Sequence, residues 1–242
     1  MNLKYINTKY ENVRQILKEE FHMSDRLITK LKNNNSIYLN NISVGIKDET
    51  KQNDVVECKL NWEEKNDNIV PSKMNLSILY EDEWMLIVDK PPFMAIHPSC
   101  RHFDTSLSNG VRYYFDKINL KKKIRPVNRL DKDTSGIVIF AKNEYIQECL
   151  IRQMRSGIFK KEYLAIVKGI LKEKHGTINA KIARKDNSII ERCISENGES
   201  AITHYKVMKE YNNYSLISCL LETRKNASNS CTYGIFRSSN SK

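Results

Sequence analysis

The sequence predicts an α+β protein: a larger domain built on a mixed, mainly antiparallel sheet, preceded by a small α/β domain. Three observations carry this expectation. The first 70 residues hold two short helical stripes followed by brief extended pieces. A polar stretch, NWEEKNDNIVPSK, then interrupts the pattern and reads as a linker, which places a boundary near residue 72. Beyond it lies a succession of short strands rich in β-branched and aromatic residues, broken by only two helical patterns.

Each element follows from its own residues. Val13, Ile16, Leu17 and Phe21 recur at helical spacing in ENVRQILKEEF. Ser24 stands where an N-cap belongs, Asp25 occupies the first turn, and Leu27, Ile28 and Leu31 form the second stripe. NNNS ends that helix, and SIYLNN, ISVG and DVVECKL follow as short extended pieces between Asn, Gly and Asp turns. Past the linker, LSILYED, WMLIVDKP, SGIVIFAK, EYLAIVKGI, GTINAKIA, AITHYKVMKEY and YSLISCLLET read as strands. TSLSNGVRYYF and NEYIQECLIRQMRSG read as helices, with Ile146, Leu150 and Met154 keeping an i, i+4 stripe in the second. No internal repeat or low-complexity block is present.

Composition narrows the functional classes. Hydrophobic content of 40% and five prolines are ordinary for a globular protein. No apolar run approaches the ~18 residues of a membrane span, and MNLKYINTKYENVRQ lacks the apolar block of a signal peptide, so a cytoplasmic protein without a membrane partner is expected. Cys58, Cys100, Cys149, Cys193, Cys219 and Cys231 are scattered with no CxxC pair, which argues against a zinc site and a disulfide scaffold. Net charge is +11, and its distribution is informative. Residues 1–70 hold eleven basic and eleven acidic side chains, whereas residues 117–168 hold thirteen basic against five acidic. Such a concentration fits contact with a phosphate backbone, or else a solvated basic surface.

The stretch RPVNRLDKDTSGIVIFAKN is the one that suggests chemistry. A turn-rich segment, NRLDKDTSG, runs directly into an apolar strand. Asp131 at the mouth of that strand is well mounted for catalysis, because a sheet fixes the carboxylate's geometry. Arg129 can contact phosphate or hold the loop, Thr134 and Ser135 can bond turn backbone, and Gly136 permits a conformation other residues resist. On these grounds alone the segment fits a catalytic loop or a structural turn equally.

From residue 76 to 223 the chain resembles the RluA-type family of RNA pseudouridine synthases. NRLDKDTSG is similar to that family's central signature, in which histidine usually stands where this chain has Asn128. ILYEDEWMLIVDKPPFMAIHP resembles the first family motif, with Lys90, Pro91 and the His97–Pro98 pair in place. KKEYLAIVKG resembles the segment carrying an active-site tyrosine, here Tyr163, and GESAITHYKV the stretch before the last strand. The two helices and hairpin at the start resemble an S4 RNA-binding domain. The expected domains are therefore 1–71, S4-like with its linker; 72–223, an incomplete catalytic domain; and 224–242, a tail.

The resemblance implies isomerisation of uridine to pseudouridine in structured RNA, ribosomal rather than transfer RNA, by a monomer without cofactor or metal. Asp131 would be the catalytic carboxylate acting on a flipped uridine. Tyr163 would lie against the uracil and accept the proton from its carbon 5; the plainer reading is a core tyrosine on an alternating strand. Arg129 would contact RNA, as would Arg14, Lys18, Arg26, Lys30 and Lys32 of the S4-like part. His97 and His102 are expected to be structural or RNA-facing. The readings from other classes are an RNA-binding remnant without chemistry, and a different S4-containing RNA factor, which the Asp131 motif disfavours.

The family's last motif, of the form TGRTHQIRVH, should follow Thr223 and is not there. Its arginine would pair with the catalytic aspartate and hold it ionised. A nucleotide string can be written that encodes GRTHQIRVHMAYLGHPIV in one frame. With one nucleotide inserted ahead of it, the same string encodes RKNASNSCTYGIFRSSNSK, which is every residue from Arg224 to Lys242. The expectation is that residues 224–242 are an out-of-frame reading of the missing motif, poorly ordered, and that the chain as written is weakly active or inactive.

Overall fold

The computed structural model describes residues 1–100, 102–184 and 192–222. The expectations for the tail, and for an arginine it would supply to Asp131, lie outside the described residues. Two compact units are present, Met1–Ile151 and Arg152–Lys242.

In the first unit the chain opens with a strand that the sequence reading missed, β1 (Asn2–Ile6), which pairs antiparallel with β4 (Val55–Lys59). Helices α1 (Val13–Glu19) and α2 (Asp25–Asn33) fall on the two expected stripes, and β2 (Ile37–Leu39) and β3 (Ile42–Ser43) form the expected hairpin. The sheet order is β1-β4-β2-β3. Local sequence explains both helix starts. Asn12 and Gln15 form a capping box on α1, and the Ser24 hydroxyl accepts from the Leu27 amide at 3.2 Å to cap α2. Val13, Ile16, Leu17, Leu27, Ile28 and Leu31 pack over Ile37, Val56 and Cys58, all fully or almost fully buried. Each such aliphatic contributes about 1.5–3 kcal/mol.

The same unit contains a three-stranded antiparallel sheet, ordered β5 (Ser77–Glu81), β6 (Met85–Lys90) and β7 (Gly136–Ala141). Helix α3 (Leu107–Lys117) covers it, with Leu107, Val111 and Phe115 buried against Leu86, Val88, Val138 and Phe140. Helix α4 (Glu144–Arg155) begins directly after β7 and ends across the division between units.

The division at Ile151 differs from the boundary expected near residue 72, and the reason is physical. The polar linker is packed rather than free. The Glu64 amide donates to the Lys121 carbonyl at 2.9 Å, and Asn66 brackets residues 122–124 by donating to the Lys122 carbonyl and accepting from the Ile124 amide. Asn109, buried in α3, donates to the Val70 carbonyl at 2.7 Å. Polar residues in the linker make specific bonds that a composition-based reading cannot distinguish from solvation.

The second unit is one antiparallel sheet, ordered β10 (Arg192–Ile194), β9 (His175–Arg184), β11 (Glu199–Glu210), β12 (Tyr214–Leu221) and β8 (Lys161–Lys168). Its buried face gathers Ala165, Val167, Leu171, Ile217 and Cys219, with Tyr163, Ile178, Tyr205 and Val207 packed against them. A Cβ at Gly198 would come within 2.5 Å of the Ile182 backbone, so the turn into β11 requires glycine. Every pairing among the described strands is antiparallel, in keeping with the expected mainly antiparallel α+β class.

Candidate active site

The Asp131 loop is built by two side chains that replace backbone pairing. Residues 125–128 run beside β7: the Ala141 amide donates to the Arg125 carbonyl at 2.9 Å, and the Val127 amide to the Ile139 carbonyl at 2.7 Å. Where this ladder stops, Asn128 continues it with its side chain. Its Oδ1 accepts from the Ile139 amide at 2.9 Å and its Nδ2 donates to the Ile137 carbonyl at 2.8 Å. The residue that departs from the resembled signature therefore pins the loop to the strand.

From Arg129 the chain leaves the sheet. The Thr134 amide donates to the Asp131 carbonyl at 3.1 Å and closes the turn. Gly136 re-enters β7 at φ +126°, a conformation that favours glycine. Arg129, Asp131, Lys132, Asp133 and Ser135 are exposed, and Thr134 is half-buried.

Lys90, at the end of β6 and paired with Gly136, is fully buried. Its ammonium donates to the carbonyls of Pro91 and Met94, both at 2.9 Å, and of Lys132 at 3.0 Å. One cation thus ties the turn after β6 to the residue following Asp131. Burial pushes the Lys90 pKa down, and the charges of Asp133 and Asp131 push back. An exposed carboxylate on a loop tied down by a buried cation is held in place, which suits it to attack an electron-poor carbon.

The turn clamped by Lys90 is itself unusual. Seven non-glycine residues among those described have positive φ; five are asparagine, which tolerates that region, and one is Phe93 at +64°. Pro92 precedes it, the pattern of a type II turn, whose third position normally holds glycine. A bulky side chain there costs about 1–3 kcal/mol. Phe93 is nonetheless 73% exposed.

Two histidines flank the loop. Lys132 Nζ lies 3.2 Å from His102 Nε2, which must accept, and His102 bridges to Ser99 through both backbone bonds. His97 is exposed by area, yet enough protein lies around its ring for desolvation, first, and the Arg129 charge, second, to lower its pKa.

Tyr163 stands in the second unit on the buried face of β8, half-buried, with Cys219 as its cross-strand partner. Lys161, two residues earlier on the same face, has its pKa lowered by burial.

The basic residues of the first two helices expected to contact RNA divide into two groups. Arg26 and Lys32 are exposed, whereas Arg14 and Lys18 both pair with Asp25, at 2.6 and 2.9 Å. Lys30 turns inward to Glu64 and Glu144, each at 2.6 Å. Arg125, on the motif-side segment, grips Glu64 through both guanidinium nitrogens at 2.7 Å. Glu148 of α4 accepts from the amide and hydroxyl of Ser24 at the start of α2. A cleft lined by Arg26, Asn34, Lys123 and Arg125 follows this seam. Sequence reasoning missed Arg125 and Lys123 as individuals, although the basic excess of residues 117–168 included them. No group of three or more His, Cys, Asp or Glu able to hold a metal occurs among the described residues, and none of their helices is long and apolar enough to cross a membrane.

Comparison with known proteins shows the family. The sequence profile of the RNA pseudouridylate synthase family matches residues 84–227, which include Lys90, Asp131 and Tyr163. The chain belongs to that family. It is 32% identical over 205 residues to the uncharacterized RNA pseudouridine synthase YjbO of Bacillus subtilis, covering 84% of this chain and 72% of that protein. It is 36% identical to YhcT of the same organism, covering 80% of this chain and 63% of that one. Against the ribosomal large subunit pseudouridine synthase D of Xylella fastidiosa it is 30% identical, covering 77% of this chain and 56% of the relative. The chain thus spans between about two fifths and about three quarters of the length of curated relatives it matches. Human RNA pseudouridylate synthase domain containing 1 shares the fold with a TM-score of 0.53 at 25% identity, over 63% of this chain and 61% of that one.

Proposed function

We propose that this chain is a uridine isomerase acting on structured RNA, with Asp131 as its catalytic carboxylate. The observation that carries the reading is the mounting of Asp131: an exposed acid on a loop pinned by Asn128 and Lys90 to the end of the β6–β7 pair. In the reaction, the Asp131 carboxylate adds to the uridine and the glycosidic bond breaks. The freed uracil turns and rejoins the ribose through carbon 5 as the bond to Asp131 breaks. N1, released from the ribose, takes up a proton, and the proton displaced from carbon 5 passes to a base. Tyr163 is assigned that last role, and the carboxylate is regenerated. Flipping the nucleotide out of its stack is the step that brings uridine to an exposed loop.

Arg129 and Lys132 contact RNA beside the site, and Arg26 and Lys32 of the S4-like part extend the contact. Lys30 works inside the protein instead. Five relatives carry names that specify the ribosomal large subunit, which favours ribosomal RNA as the substrate. A monomer in the cytoplasm fits this role.

A second reading, an RNA binder without chemistry, is favoured by residues 224–242, which lack the arginine motif expected after Thr223. Tritium release from RNA carrying 5-tritiated uridine separates the two. The enzyme reading expects release that Asp131→Ala abolishes. RNA binding with no release from either protein would establish the remnant.

A further inference from the structure

The strained turn after β6 has no explanation in the chemistry assigned to Asp131. A backbone that bends through a left-handed third position is most easily made with glycine, and this chain places an aromatic ring there. The ring gains nothing from burial, since Phe93 is 73% exposed. The turn is also rigid: Lys90 holds the carbonyls on both sides of Phe93, those of Pro91 and Met94, at 2.9 Å. The same ammonium holds the carbonyl of Lys132, so the ring's turn and the Asp131 loop converge on one atom. That loop exposes Arg129 and Lys132 together with Asp131 and Asp133.

A rigidly presented, exposed aromatic, tied through Lys90 to a loop that carries Arg129 and Lys132, fits one kind of partner better than others. Unpaired nucleobases stack on aromatic rings while their phosphates meet Lys and Arg, and the stacking tolerates any base because each has a π-face. An apolar protein partner would find a single ring surrounded by charge. We propose that Phe93 is an RNA-binding residue that stacks on an unpaired base neighbouring the uridine presented to Asp131. The inference rests on the RNA reading above and adds a residue and a contact that it does not require. The strain at Phe93 is then the cost of aiming the ring outward, where relaxation to glycine would leave the flipped nucleotide's neighbour without support.

The test uses the full chain and a hairpin RNA with unpaired uridine in its loop, alongside the same hairpin made abasic next to that uridine. Phe93→Gly removes the ring while suiting the left-handed turn, so its Tm should equal or exceed that of the unsubstituted protein. Its affinity for the intact hairpin should fall between about fivefold and about a hundredfold. Phe93→Tyr, which keeps both ring and backbone geometry, should bind within about twofold of the original. The abasic hairpin should bind the original protein and Phe93→Gly alike. If Phe93→Gly binds the intact hairpin as well as the original does, the stacking role is refuted while the RNA reading stands. If the original protein binds no RNA, both fall together.

Discussion

Lys90 Nζ lies 3.0 Å from the carbonyl of Lys132, the residue immediately after Asp131, and this bond joins two motifs 42 positions apart. It converts an exposed loop into part of the β6–β7 framework. A lysine with no room for water and three carbonyls to satisfy is a structural cation, and its removal should act on the loop before it acts on the fold.

Lys90→Met keeps the stem's bulk and removes the ammonium, leaving three carbonyls without their donor. The expected destabilisation is about 2–4 kcal/mol, read by urea unfolding. Uridine isomerisation should fall by more than that stability loss explains, because the residue next to Asp131 also loses its anchor to β6. Activity unchanged in the folded variant would show that the clamp does not position Asp131.

Asn128→Leu should leave the Ile139 amide and Ile137 carbonyl unpaired beside a buried strand. A cost of about 2–3 kcal/mol follows from two unsatisfied backbone groups. Its kinetic signature should be a lower kcat with KM nearly unchanged, since the loop geometry moves and the RNA-facing charges do not.

Glu64 sets an acid limit on the first unit. Burial would raise its pKa, but hydrogen bonds and charge from Arg125 and Lys30 outweigh it and bring the pKa from 4.5 down to about 2. A carboxylate depressed on folding stabilises the protein fully above about pH 4.5, and that stability is lost as the pH falls towards about 2. Unfolding of the first unit, followed by Trp62 and Trp84 fluorescence between pH 6 and pH 2, should show this slope. Glu64→Gln should flatten it and cost about 3 kcal/mol at neutral pH, because Arg125 loses its two short bonds and keeps only Glu144, at 3.9 Å.

The shifted-frame reading of residues 224–242 predicts a gain rather than a loss. Replacing RKNASNSCTYGIFRSSNSK by GRTHQIRVHMAYLGHPIV should raise tritium release from uridine-labelled RNA at least about tenfold, the effect of one charge-assisted pair on the Asp131 carboxylate. Equal activity of the two proteins would remove the reading.

Much of this was legible in residue spacing. The stripes of α1 and α2, the Ser24 cap and the strands from β5 to β9 and β11 to β12 lie where periodicity and turn residues put them. Asp131 and Gly136 stood out because a turn-rich segment ran into an apolar strand. The misses have a common cause. The first strand, β1, was overlooked because five residues of alternation at a terminus weigh little against a helical stripe close behind. A lysine on a helix, such as Lys30, gives no sign of which acid it will meet; Glu64 and Glu144 are 34 and 114 positions away. Phe93 passed unnoticed since the sign of φ is not written in an isolated phenylalanine.

The Lys30–Glu64–Arg125–Glu144 cluster has a consequence for how the chain can vary. A substitution at any one of the four strands a buried charge on the other three, so neutral drift at these positions must proceed by paired replacement. The N-terminal helices are therefore not an interchangeable cassette. Grafting residues 1–71 from a relative would import a foreign Lys30 and Glu64 to face a resident Arg125 and Glu144, and the graft would be tolerated only where all four identities happen to agree.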